Sequence, residues 1–263
     1  MVVMAMGGNW PDSDEEYDDR RKKREFLTDR LRKRFDFSRS DQSRLVKEPP
    51  FQKPHGPDEV MIELPGRDDW SGLCRSNLAE VISSRRSRRK FHPDPLSLEE
   101  LSFLLWATQG IRDPEIHYFR NVPSAGARHS FETYLAIGNV DGIEAGLYRY
   151  LPKEHSILQL KKDKYITMKT AASSFGQMFI GTSALVFIWA AVPYRMEWRY
   201  GPAAHRVIAF DVGHVCQNLY LAAEGIGAGT CGIGAYDQEK MDELIGVDGE
   251  DEFTIYLAPV GKV

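Results

Sequence analysis

The chain has 263 residues, 42% of them hydrophobic and 27% charged, so it can form one large domain or two small ones around a sizeable core. A net charge of −4 argues against a general nucleic-acid-binding protein. The longest apolar run, residues 184–192, is too short for a membrane span, which needs about 20 apolar residues. We therefore expect no nucleic-acid partner and no membrane partner.

The cysteines and histidines exclude two further classes. Cys74, Cys216 and Cys231 are odd in number and widely spaced, so they form no disulfide framework, which indicates a reducing, cytoplasmic location. The histidines form no HxxxH pair, and the cysteine spacing fits no zinc site, so no metal is predicted. The first residues lack the basic region of a signal peptide, and none is predicted.

Residues 12–47 are dense in charge, with acids first and bases after them. Leu27, Leu31 and Phe35 are four residues apart, which predicts a helix with one narrow apolar stripe. We interpret this segment as a solvated arm that lies on the body, with a nucleic-acid or membrane contact as the alternative. Four prolines in residues 49–57 predict an extended linker. The predicted division is an arm and linker at 1–57 and a folded domain at 58–263.

The folded domain mixes helical and strand patterns. Strands are predicted at 60–64, 131–137, 146–151, 184–192 and 253–259, and helices at 76–84, 98–109, 164–181 and 207–223. Ser97 and Glu100 form a capping box at the start of the second helix. Residues 184–192 are continuously apolar, so we expect a strand buried on both faces. The predicted class is α+β, with helices that cover a central sheet.

The segment from Arg85 to Lys90 places five cations in six consecutive positions. It lies between a short apolar helix and a proline-rich turn, within the folded domain. A cation cluster on ordered structure in a mildly acidic protein indicates a local anionic ligand. Phosphate is the strongest candidate, because the arginine fork matches its oxygens.

A glycine-rich loop follows at residues 225–234. It contains a formal GxGxxG at Gly227, Gly229 and Gly232, but a dinucleotide-binding fold needs a strand before this motif and a helix after it. Here a helix precedes the motif, so that interpretation is rejected. Two interpretations stay open: the glycines end a helix, or their bare backbone approaches a flat ligand. Residues 123–129 are also small, and could form a simple turn or let another surface or a ligand come close.

The three segments in this order resemble the flavin-binding nitroreductase superfamily, and within it the SagB-type dehydrogenases, known as azoline oxidases. The resemblance runs from about residue 25 to the end of the chain. Its motifs are Arg85-Arg86-Ser87-Arg88-Arg89-Lys90-Phe91, residues 106–111, 123–129, 213–227 and 232–236. It implies a central mixed or antiparallel sheet flanked by helices, in an intertwined homodimer.

The resemblance implies FMN as the cofactor. Arg85 and Arg86 would hold its phosphate, with Lys262 as a second phosphate cation. Ser87 and Arg89 would reach the ribityl chain and the pyrimidine edge. The isoalloxazine ring would lie against the backbone of Gly232, Ile233 and Gly234, with one of their N–H groups near flavin N5. Gln177 would also touch the ring. A third group would contact the FMN of the other subunit: Pro123, Ser124, Ala125 and Gly126.

The implied activity is hydride transfer through flavin N5, with NADH or NADPH as electron donor. A standalone enzyme for a small molecule is favoured over an azoline oxidase for a modified peptide, and a flavin-binding scaffold subunit is the third interpretation. Azoline oxidases carry a Lys-Tyr pair where this chain has Arg199 and Tyr200. Arginine is a poor general base. Tyr200 could donate a proton and Arg199 could bind an anionic substrate, or both could be ordinary loop residues.

Two further expectations concern the surroundings of the site. A lid is predicted at residues 112–121 and 193–202. His214 is predicted to be a hydrogen-bonded packing residue on its apolar helix.

Overall fold

The computed structural model describes residues 22–74, 76–112 and 119–263. Within these ranges, seven strands form one antiparallel sheet in the order β1-β4-β3-β2-β5-β7-β6. The strands are β1 Met61–Glu63, β2 Phe131–Ile137, β3 Gly146–Leu151, β4 Ser156–Lys162, β5 Leu185–Ala191, β6 Ala228–Thr230 and β7 Phe253–Lys262. The predicted α+β class is confirmed, and the sheet pairs in antiparallel fashion throughout the described residues.

Helices cover both faces of this sheet. They are α1 Leu78–Ser84, α2 Leu98–Gln109, α3 Ile166–Ser173, α4 Met178–Gly181, α5 Tyr194–Tyr200, α6 Ala204–Gly225 and α7 Gln238–Ile245. The capping box predicted at Ser97 and Glu100 is present at the start of α2. In the described residues, no helix is long and apolar enough to cross a membrane.

Strand β5 organises the core. Every residue from Leu185 to Ala191 is fully buried, as its unbroken apolar sequence predicts. Side chains alternate between the faces of a strand, so Leu185, Phe187 and Trp189 pack on the α2 and α6 side. Val186 and Ile188 pack on the α3 and α7 side. The molecule is therefore a three-layer arrangement around the sheet.

The charged arm differs from its prediction. Residues 24–39 form three short 3₁₀ turns, Arg24–Leu27, Arg30–Lys33 and Phe37–Arg39, so the predicted continuous helix is wrong for the described part; residues 12–21 lie outside it. Thr28 is extended between the first two turns. Leu27 and Leu31 are exposed and Phe35 is only partly buried, so the apolar stripe lacks the continuous buried face that would stabilise a helix.

The following residues lie on helix α5. The Gln42 amide donates to the Trp198 carbonyl at 2.9 Å, and the Trp198 indole donates to the Val46 carbonyl at 3.0 Å. The Tyr194 hydroxyl donates to the Asp41 carboxylate at 2.8 Å. This part of the arm therefore lies on the body.

The proline-rich segment is also fixed to the body. Three buried arginines donate to its main-chain oxygens: Arg195 to Pro50 at 2.9 Å, Arg120 to Phe51 at 3.0 Å and Arg149 to Pro54 at 2.9 Å. A buried guanidinium needs acceptors for its N–H groups, and the irregular backbone of this segment supplies them. Glu132 neutralises part of the charge through an ion pair with Arg195.

The predicted helix over 164–181 is two helices. Helix α3 ends at Ser173 and α4 begins at Met178. Between them Phe175 and Gly176 both have positive φ, at 54° and 72°. Left-handed backbone does not continue a right-handed helix, so a prediction of one helix was wrong at this turn.

Candidate functional site

The cation loop, residues 85–90, follows the end of α1 and lies beside the short strand β6. Ser87 forms a parallel bridge with Thr230, and the Arg88 amide donates to the Thr230 carbonyl at 2.9 Å. A Cβ at Gly229 would lie 2.7 Å from the Arg88 Cβ. Only glycine at that position lets the loop come this close to the strand.

The five cations divide by their partners. Arg88 is partly buried and donates to the Glu224 carboxylate at 3.1 Å, so its charge is already compensated. The Arg85 guanidinium lies 5.3 Å from the ring centre of Tyr220, and that of Arg89 lies 6.0 Å from the ring of Phe179. Lys90 and Arg86 are exposed. In the described part of the chain, Arg85, Arg86 and Arg89 have no carboxylate partner, and their charge is available to a ligand.

The glycine loop, residues 232–234, has two main-chain amides that are hydrogen-bonded and a third without an acceptor in the described part of the chain. The Gly232 N–H donates to the Tyr220 hydroxyl at 2.7 Å, and the Ile233 N–H donates to the Leu257 carbonyl at 2.8 Å. The Gly234 amide has no acceptor among the described residues, and Gly234 is exposed. One N–H of this loop was expected near flavin N5, and of its three amides only that of Gly234 can donate without breaking a bond already made.

Gln177 lies beside the same loop. Its side-chain amide donates to the carbonyl of Ala235 at 3.0 Å and to that of Ser174 at 3.1 Å. Arg89 reaches the same neighbourhood through Phe179 on α4. The structure therefore brings Arg85, Ser87, Arg89, Gln177 and the glycine loop together in one chain.

The buried Cys216 and the partly buried Tyr256 pack against the glycine loop on its interior side. A Cβ at Gly232 would lie 2.3 Å from the Tyr256 hydroxyl and 3.2 Å from the Cys216 sulfur. Burial raises the pKa of the Cys216 thiol to about 12 and raises the pKa of Tyr256 as well. Both groups stay protonated and neutral at physiological pH, so they serve as packing and hydrogen-bonding groups here.

Tyr220 is a residue that sequence reasoning missed. It lies at the edge of the apolar stripe of α6, where a tyrosine is normally a packing residue. Its hydroxyl accepts from Gly232 and lies 3.0 Å from the Ser87 hydroxyl, while Arg85 covers its ring. The available signal was a single hydroxyl in an otherwise apolar stripe, which does not identify its partners.

The small-residue loop, residues 123–129, lies apart from the cation loop and contacts helix α6 at Asp211. Its Ala125 amide donates to the Asp211 carboxylate at 3.1 Å. Burial raises the pKa of Asp211, while bonds from Ser124 and Ala125 oppose that change. Gly126 has φ 58°, and a Cβ there would lie 2.7 Å from the Tyr200 hydroxyl and 2.9 Å from the Arg199 Nε. Arg199 and Tyr200 therefore pack directly against this loop.

The small-residue loop and the cation loop contact opposite flanks of α6, at Asp211 and at Tyr220. Asp211 and Tyr220 are nine residues apart in that helix. At about 100° per residue their side chains point about 180° apart, and at about 1.5 Å per residue they are separated by about 13.5 Å along the axis. The loop around Ala125 and the loop around Arg85 of the same chain therefore do not face each other.

Lys262 is not a free cation. Its ammonium forms an ion pair with the Glu100 carboxylate, in a pocket that Glu224 also lines. Its main-chain oxygen accepts from the His92 amide at 2.8 Å. The residue is thus close to the end of the cation loop, but its charge is already compensated.

The last sequence predictions concern His214 and the two lid segments. His214 is half exposed, with its ring 3.9 Å from the Asp211 carboxylate, so it is not packed in the core. Residues 193–202 form helix α5 and the turn after it, with Met196 and Trp198 buried. Residues 113–118 of the other predicted lid segment lie outside the described residues. Arg112 and Phe119 at its ends are joined by a main-chain hydrogen bond of 2.8 Å.

Comparison with known sequences identifies relatives. The nitroreductase family profile matches residues 82–262. A protein named as a nitroreductase from Methanocaldococcus jannaschii is 36% identical over 205 residues, 78% of this chain and 98% of that protein. The trifolitoxin-processing protein TfxB of Rhizobium leguminosarum bv. trifolii is 31% identical over 153 residues, which are 51% of this chain and 39% of TfxB.

Solved structures share the fold. A nitroreductase-type protein from Ralstonia eutropha is 27% identical with a TM-score of 0.65, over 80% of this chain and 92% of that one. A chain of the Escherichia coli microcin synthetase McbBCD complex is 19% identical with a TM-score of 0.59, over 77% of this chain and 78% of that one. At that identity the second likeness shows the fold alone.

Proposed function

This chain belongs to the nitroreductase family, and we propose that it is an FMN-dependent oxidoreductase that works as a homodimer. The observation that carries the proposal is the meeting of three unpaired cations with one unpaired loop amide, in the described residues, at one end of α6. Members of this family generally bind flavin. The coarser activity, that of an oxidoreductase, follows from the family itself.

The residues present fit FMN. A flavin phosphate carries negative charge, and Arg85, Arg86 and Arg89 offer guanidinium donors without competing carboxylates among the described residues. A flat ring needs accessible backbone, and Gly234 provides it, since it is exposed and its amide has no acceptor among the described residues. Lys262 is assigned a supporting role at the phosphate, because its Glu100 partner lowers the charge it can offer.

FMN, when bound, supplies hydride chemistry at N5. The chain's own residues then bind and orient it. Arg85 and Arg86 hold the phosphate, Ser87 and Arg89 donate to the ribityl chain and the pyrimidine edge, and the Gly234 amide donates toward the ring. Gln177 is already bonded to two carbonyls, so its contribution is to hold the glycine loop in place.

The small-residue loop would serve the site of the other subunit. Pro123, Ser124, Ala125 and Gly126 lie on the flank of α6 opposite to the cation loop, so they cannot complete the site of their own chain. In a two-fold dimer that sets one such loop against the partner's cation loop, the reciprocal contact would form as well, because an isologous interface exchanges both contacts. The geometry within one chain supports this arrangement.

Arg199 and Tyr200 would then lie at the partner's flavin. Both contact Gly126. Arg199 has no carboxylate partner in the described residues, and its guanidinium lies 5.6 Å from the Tyr200 ring centre. We assign Arg199 to binding an anionic part of the substrate and Tyr200 to donating a proton to it. A standalone enzyme with NADH or NADPH as electron donor is the first form of this proposal.

The second form is an enzyme that acts on a modified peptide. The 31% identity to the trifolitoxin-processing protein TfxB favours it, and the substitution of arginine for lysine at position 199 speaks against the azoline oxidase reaction. A flavin-binding scaffold subunit without catalysis is the third form. The charged arm on α5 is the feature that would serve such a partner role.

The first experiment is spectroscopic. Purified protein should be yellow and absorb at about 450 nm, and this absorbance should disappear when NADH or NADPH is added in the absence of oxygen. A colourless protein that does not bind added FMN contradicts the cofactor proposal. A yellow protein that neither nicotinamide reduces favours the peptide or scaffold form, which a screen against modified peptides would then separate.

The second experiment tests the shared site. One variant carries Arg85→Ala with Arg86→Ala, and the other carries Gly126→Asp, which adds bulk and charge to the small-residue loop. Co-expression should restore about one quarter of the wild-type flavin sites, because half of randomly assembled dimers carry one intact site of two. A site contained in one chain would give no recovery.

A further inference from the structure

We propose that Tyr220 is a positioning residue that joins the cation loop to the glycine loop and makes the Ser87 hydroxyl a hydrogen-bond donor to the ribityl part of the flavin. This inference rests on the proposed function, since it concerns the same site. It adds a residue, and a direction of hydrogen bonding, to that site.

Three distant segments meet at Tyr220. The Gly232 amide lies 2.7 Å from its hydroxyl oxygen, and the Ser87 hydroxyl lies 3.0 Å from the same oxygen. The Arg85 guanidinium lies 5.3 Å from its ring centre, within the range of a cation–π contact. Tyr220 therefore contacts both loops, in addition to the backbone pairing of the cation loop with Thr230 on β6.

The direction of the hydrogen bonds follows from the groups involved. The Gly232 amide can only donate, so the Tyr220 oxygen accepts from it. The Tyr220 hydroxyl proton then needs an acceptor, and in the described part of the chain the Ser87 oxygen is the one within hydrogen-bonding distance. The order is therefore Gly232 N–H to Tyr220, then Tyr220 O–H to Ser87.

This order determines what Ser87 offers to a ligand. Its oxygen is occupied by the tyrosine proton, so its own proton points outward, and Ser87 is exposed. Successive hydrogen bonds polarise one another, and the cation over the tyrosine ring strengthens the tyrosine as a donor. Ser87 is thus a directed donor, suited to the oxygen atoms of a polyhydroxylated chain.

The test is a flavin titration of apoprotein, read by quenching of flavin fluorescence, for FMN and for riboflavin. Tyr220→Phe should weaken both flavins by the same factor of about five, since one neutral hydrogen bond is lost. Ser87→Ala should cause a similar loss, and the double variant no more than either single change. Tyr148→Phe is the control, because it removes a buried hydroxyl's bond to the Glu144 carbonyl far from the site.

Two results overturn the inference. The first is a double variant whose fold-loss of flavin affinity equals the product of the two single fold-losses. Residues that act through one chain of hydrogen bonds should not have independent effects of this kind. The second is read without flavin: hydrogen exchange at the Gly232 amide should accelerate in Tyr220→Phe and not in Tyr148→Phe, and unchanged exchange refutes the bond. If wild-type protein binds neither flavin, the proposed function fails, while the exchange measurement still decides the tyrosine bond.

Discussion

Arg85 is the residue whose removal tests the phosphate assignment most directly. It follows the last residue of α1, is half buried, and has no carboxylate partner among the described residues. We expect Arg85→Ala to remove one charge-assisted bond to the FMN phosphate. Such a bond contributes about 1.5–3 kcal/mol, so affinity for FMN should fall about ten- to a hundredfold.

The same change should affect the fold only slightly. The lost intramolecular contact is the cation–π interaction with Tyr220, at 5.3 Å, which contributes about 0.5–1 kcal/mol near the surface. For a domain of this size that lowers Tm by only about 1–4 °C. The protein should remain folded, so a loss of flavin affinity reports on binding.

The assay compares FMN with riboflavin, which lacks the phosphate. Fluorescence titration should show the loss for FMN and little change for riboflavin. Arg88→Ala is the matched control, because Arg88 is in the same loop but its charge is paired with Glu224 at 3.1 Å. Unchanged FMN affinity in Arg85→Ala, or an equal loss for riboflavin, would refute the assignment.

Three further outcomes are expected. Gly232→Ala should lower the free energy of unfolding by about 1–3 kcal/mol, since its Cβ would lie 2.3 Å from the Tyr256 hydroxyl. Gly234→Ala should change the free energy of unfolding by less than about 0.5 kcal/mol, because the nearest atom to its Cβ is 3.9 Å away. Urea denaturation measures both variants, and equal stabilities would contradict the packing. Burial lowers the pKa of His155 in the folded protein below its unfolded-state value of about 6.5, so the unfolded chain binds the proton more readily. The free energy of unfolding is therefore fully present above about pH 6.5, and part of it is lost as the pH falls through the folded-state pKa. His155→Gln should therefore show a smaller loss of unfolding free energy between pH 7 and pH 5 than the wild type, and an identical pH dependence would refute this. In folded protein at pH 8, iodoacetamide should modify Cys74, which is exposed, and spare Cys216, whose buried thiol has a pKa of about 12; mass spectrometry reads the sites, and early modification of Cys216 would contradict its burial.

Local patterns were sufficient for much of the fold. The unbroken apolar run at 184–192 predicted the central strand, and the capping box at Ser97 predicted the start of α2. These signals are local because periodicity and end-capping depend on neighbours within a few residues. The same reasoning was wrong at Phe175 and in the arm, where a left-handed turn and the lack of a buried face decided the backbone.

The amino-acid sequence by itself determined which chemical groups are available: a cluster of cations, a loop of glycines and a loop of small residues, in an order typical of flavin-binding nitroreductases. Only the tertiary structure decided how those groups are used. It pairs Arg88 and Lys262 with carboxylates, leaves Arg85 without a carboxylate partner among the described residues, and places the Ala125 and Tyr220 contacts on opposite flanks of α6. The reason is physical: an ion pair or a hydrogen bond depends on distances between groups that the fold brings together, from 12 positions apart for Tyr220 and Gly232 to 162 for Glu100 and Lys262. No local pattern encodes those distances.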